Sequence, residues 1–134
     1  MLYRITLHLA RSRGFPDGSS RHGYEIVAPL DAEGHLDVAE WRHRRRSCRV
    51  RRFWAGEPAR HGLLIHRPGG ADGATWLIDY DDTRDTDDEA GYRLGSHRFA
   101  LDDYVSIRHD EGELHTFRIV SIDAVQKAEA LVKA

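Results

Sequence analysis

Leu2-Tyr3-Arg4-Ile5-Thr6-Leu7-His8-Leu9 alternates along its whole length, with Tyr3, Ile5, Leu7 and Leu9 on one side and Arg4, Thr6 and His8 on the other. A period of two residues is the pattern of a β-strand with one buried face and one wet face. The stretch lacks the continuous apolar block of a secretory leader, so it reads as part of the fold and the chain as cytoplasmic.

The chain beyond it keeps the same character. Residues 11–21 are rich in turn formers, with Pro16-Asp17-Gly18 setting a tight reversal. A second strand is expected from His22 to Leu30, with Tyr24, Ile26 and Ala28 inward and an end near Pro29, which cannot donate to a ladder. Further strands at hairpin spacing are expected over Gly62–Arg67, Thr75–Tyr80, His97–Leu101, Tyr104–His109 and Glu113–Ile122. Glycines in the connections 68–73 and 110–112 suit turns that need a positive φ, and Asp102-Asp103 leaves room only for a sharp corner. Between Cys48 and Trp54 the apolar positions switch from even to odd, which predicts a bulge or a strand buried on both faces.

Two short helices are signalled. Asp37 is a good N-cap with Glu40 three residues on, and Leu36 and Trp41 occupy the hydrophobic-staple positions, so a helix is expected over 38–46. Asp123 and Gln126 open a second expected helix over 124–133, with Val125, Ala128, Leu131 and Val132 as its apolar stripe. The fold class is mainly β: one domain spanning 1–134, an antiparallel β-barrel-like or strongly bent sheet of about 7–8 strands. Residues 1–122 form its β core and 123–134 its C-terminal helix.

Composition removes several function classes. A length of 134 residues suits one core. A single cysteine excludes a disulfide framework and any zinc site that needs two thiolates. A formal net charge of −2 gives no global attraction for nucleic acid or an anionic membrane, and no apolar run reaches membrane-spanning length. Nine histidines would carry the charge to +7 if all were protonated, so behaviour should depend on pH.

The most distinctive segment is 42–52, where seven arginines crowd eleven residues beside Trp41, Phe53 and Trp54. Such a segment suits phosphates and stacked rings. Three observations weigh against nucleic acid. Arg44 to Arg46 fall where cations offset a helix C-terminus, residues 79–89 hold seven carboxylates able to neutralise the seven arginines, and the chain uses 18 Arg against 2 Lys throughout. The acidic run fits no calcium loop, because counting from Asp81 puts Thr86 where glycine is needed and Tyr92 where glutamate is needed. No metal and no cofactor is implied. Cys48, on an apolar strand face with Val50, reads as buried and unreactive.

The reading that follows is a non-catalytic binding or accessory module for an anionic small molecule or a protein partner. Its contacts would be Arg42, Arg45, Arg49 and Arg51, with Trp41 or Trp54 as a stacking wall. The alternative is a small metal-dependent or His/carboxylate enzyme whose pocket gathers His22, His97, Asp88 and Glu89. A third reading is a homodimer that pairs the basic segment 42–52 with the acidic loop 79–89.

Overall fold

The computed structural model describes residues 1–67, 76–80, 89–92, 94, 98–108 and 113–125. Among them are eight strands in meander order: β1 (Leu2–Leu9), β2 (Ser19–Pro29), β3 (Arg49–Trp54), β4 (Arg60–His66), β5 (Trp76–Tyr80), β6 (Glu89–Tyr92), β7 (Tyr104–Arg108) and β8 (Leu114–Ala124). Each pairs antiparallel with its successor, and β8 returns to β1 from Tyr3↔Ala124 to Leu9↔Phe117, so the sheet closes into a barrel. Closure leaves no row of unpaired backbone groups at a sheet edge.

The alternation in β1 holds in space. Ile5, Leu7 and Leu9 are buried and meet Tyr24, Ile26 and Ala28 of β2, while Arg4, Thr6 and His8 face outward. An eight-stranded barrel encloses just enough room for its own side chains. Here Trp76, Tyr24 and Phe117 are fully buried together with Ile5, Leu7, Ile26, Leu64, Ile107 and Ile119. Two glycines let strands approach more closely than a side chain would allow. A Cβ on Gly62 would strike the Asp79 carbonyl of β5, and one on Gly23 would strike the Leu7 carbonyl of β1.

One end of the barrel is covered by the connection between β2 and β3. It carries α1 (Val38–His43) followed by a 3-10 turn at Arg45–Ser47. Asp37 caps α1 by accepting from the Glu40 amide at 3.1 Å, and both staple residues, Leu36 and Trp41, are buried. The Trp41 indole donates to the Leu64 carbonyl at 2.8 Å and packs edge-on against Trp76. Phe99 joins this cover, its amide donating to the Gly34 carbonyl at 2.8 Å.

Four expectations are corrected. First, residues 98–101 form no strand; the strand in that interval is β6, at the end of the acidic run and beyond it. The apolar Phe99 that suggested a strand is instead buried in the cover. Second, β3 carries no bulge. It runs in unbroken register with β2, and its inward positions are Val50, Arg52 and Trp54, so the parity switch arises because an arginine, Arg52, points inward. Third, the helix over 38–46 breaks after His43 into the 3-10 turn. Fourth, β8 extends through Asp123 and Ala124, which pair with Arg4 and Tyr3, so Asp123 caps no helix there. The remainder of the expected C-terminal helix, 126–134, lies outside the described residues, as do the turns 68–73 and 110–112. Asp102 makes the expected corner with a φ of 69°.

Gly62→Ala should destabilise the barrel by about 1–3 kcal/mol, because the added methyl meets rigid backbone rather than a movable side chain. Denaturant unfolding of the variant checks this; a midpoint equal to the parent's would show that β4 and β5 can separate without cost.

Candidate functional site

The six residues singled out for anion contact separate into three places. Trp41 is in the core of the covered end with Arg45 stacked over its ring at 4.8 Å. Trp54 sits at the opposite end, and Arg42 is exposed on α1. Arg49 and Arg51 point outward from β3, two residues apart on one face.

That outer face holds a groove. Its volume is about 570 Å³, and Arg4 of β1, Glu25 and Val27 of β2, Arg46 and Ser47 of the 3-10 turn, Arg49 and Arg51 of β3, and His61 of β4 line it. Leu2 and Val125 complete the floor, drawn together by the Val125 amide donating to the Leu2 carbonyl at 2.9 Å. Barrel register assembles the site. Glu25 stands opposite Arg51, Arg51 opposite His61, and Arg4 opposite Val27. Arg51 donates to Glu25 at 2.8 Å, a half-exposed cross-strand pair worth about 0.2–1 kcal/mol. The lining holds four arginines and one glutamate. Asp123 stands beyond it, in register with Arg4 on β8.

Arg4 and Arg46 were missed by sequence reasoning. Arg4 reads there only as the wet side of β1, and Arg46 as a cation at a helix end. Their signal was parity: Arg4, Arg49 and Arg51 all occupy outward positions, but only the strand register brings them to one place.

The opposite end of the barrel collects polar groups among rings. His22 packs at 4.5 Å against Trp54 and at 4.8 Å against Phe15, and Trp54 meets His115 at 5.5 Å. The Arg52 guanidinium, 4% exposed, lies over Trp54 at 4.5 Å and faces Glu57 at 3.6 Å. The Ser19 hydroxyl is 2.7 Å from His22 Nδ1 and also accepts from the Arg21 amide at 3.2 Å, which is a local turn closure. Of the alternative pocket, His22 alone is placed by its side chain. Glu89 begins β6 with its side chain undescribed, and Asp88 and His97 lie outside the described residues. Among the described residues no group of three His, Cys, Asp or Glu is arranged to hold a metal.

Among the described residues, ion pairs of the basic segment include Arg44 to Glu40 at 2.9 Å, Arg51 to Glu25, and Arg52 to Glu57. Residues 81–88 of the acidic run lie outside the described residues. Cys48 is fully buried and donates to the Arg44 carbonyl at 3.3 Å. Burial pushes its thiol up to about 12, with Arg44 opposing and Glu40 adding to the shift, so at neutral pH it is protonated and inert. No helix among the described residues is long and apolar enough to cross a membrane. Comparison with protein-family models, curated proteins and solved structures yields no match.

Among the described residues, three imidazoles sit below their ordinary value. Burial is the largest cause at His8, His22 and His66; Arg118 adds to it at the first, Arg21 and Arg52 at the second against an opposing Glu57, and Arg42 at the third. The folded chain therefore binds fewer protons than the unfolded chain once pH drops below about 6.5. Stability is full above that value and declines as pH falls toward the lowered folded values. The melting temperature should thus be lower at pH 5 than at pH 7.5, and His22→Gln should make the slope shallower. A flat profile across that range would contradict the neutral burial of these rings.

Proposed function

We propose that this chain is a non-catalytic binding module whose ligand is an anion held in the outer groove by Arg46 and Arg49, with Arg4 and Arg51 at its sides. The observation that carries the reading is the convergence of four arginines from three separate elements on one concavity of about 570 Å³. Guanidinium groups offer fixed forks of donors that match phosphate and carboxylate oxygens. The barrel axis supports a surface site, because Trp76, Tyr24, Phe117 and the aliphatic residues between them occupy the space that a ligand-carrying barrel would keep open.

Arg51 is committed to Glu25 and serves to hold the wall. Arg46 and Arg49 are exposed at the turn and at the start of the strand that follows it, and on this reading they make the main anion contacts. The ligand's size is bounded by the groove, which suits a small molecule or the acidic tip of a partner.

Titration calorimetry with inorganic pyrophosphate provides the test. Binding should weaken about tenfold or more in Arg46→Glu and in Arg49→Glu, with unchanged circular dichroism and melting temperature. It should also weaken as sodium chloride rises, since the contacts are charge-assisted and half-exposed. Equal binding by parent and both variants would remove the groove from the function.

A further inference from the structure

We infer that the ligand of this groove is amphipathic: a small, soluble phosphate monoester whose phosphate meets Arg46 and Arg49 and whose carbon skeleton lies on Leu2, Val27 and Val125. The inference rests on the anion reading above and adds the ligand's class. It begins from a departure in the barrel's own pattern. Outward positions of β1 and β2 should be polar, as Arg4, Thr6 and Glu25 are, yet Leu2 and Val27 also occupy outward positions, and Val125 joins them from the end of β8. Leu2 is only 6% exposed, and Val27 and Val125 are half-buried against the core. The three line the same groove as the arginines.

Charge selects the head group. A phosphate monoester, close to a dianion at neutral pH and with three acceptor oxygens, matches the guanidinium donors of a lining that holds four arginines better than a carboxylate with two oxygens and one charge. Shape selects the source. Leu2, Val27 and Val125 share the lining of a concavity with Arg4, Arg46 and Arg49, a setting that suits a small molecule better than the face of a bilayer.

Calorimetry with methyl phosphate, hexyl phosphate and hexanol tests this on the full chain. Hexyl phosphate should bind at least about tenfold tighter than methyl phosphate, a small part of the roughly thousandfold gain that full burial of its extra methylenes, at about fourfold each, would give. The advantage should shrink in the double variant Val27→Thr, Val125→Ser. Arg46→Glu should weaken both phosphates. Equal affinity for the two phosphates in the parent would overturn the amphipathic ligand and leave the anion reading standing. No binding of either would end both. Hexanol binding as tightly as hexyl phosphate, or co-sedimentation of the protein with vesicles containing phosphatidic acid, would also overturn the proposal.

Discussion

When β8 pairs with β1, the last free row of backbone amides and carbonyls in the sheet finds partners, and every second side chain of eight strands is driven into one enclosed volume. Most other features of the molecule answer to that volume. Among the described residues it is filled by three large rings and a jacket of Ile, Leu and Val. Its two ends need different treatment. One is covered by α1 with Trp41 tied to Leu64, and the other is packed with His22, Trp54 and His115. The arginine groove lies on the outside of the wall.

The β character and the strand spacing were legible because alternation is a local signal. Tyr3 through Leu9, Tyr24 through Ala28 and the pair of strands around residue 110 all follow it. The cap at Asp37 was legible for the same reason, since its Glu40 partner is three residues away. What failed was set by tertiary context. Arg52 occupies an inward position because Trp54 and Glu57 give its guanidinium a stacked and ion-paired place, so the apolar pattern of β3 breaks without any break in the strand. Phe99 imitates a strand residue because covers of barrels need apolar side chains too. Glu89 belongs to the acidic run, and the hydrophobic cue that follows it in β6 is too brief to signal a strand.

The candidate site was half legible. Composition drew attention to the arginines of 42–52, and two of the four chosen, Arg49 and Arg51, line the groove. The rest depended on register, which places Glu25 beside Arg51 and brings Arg4 to the same face from the far end of the sequence. A linear reading sees a run of like charge; the barrel divides that run between inside, outside and cover. Arg52 goes in, Arg49 and Arg51 go out, and Arg45 lies over the buried Trp41.

The β1–β8 seam differs in kind from the other seven pairings. Those join neighbours along the chain and can zip as hairpins soon after collapse, whereas the seam must wait for nearly the whole polypeptide to be arranged. Leu2, Arg4 and Val125 border the groove at that seam, while Arg49 and Arg51 belong to a strand two positions away. An occupant that touches both parts would bridge the slowest junction of the molecule to one formed early, acting on the rate at which the ring springs open as well as on its equilibrium.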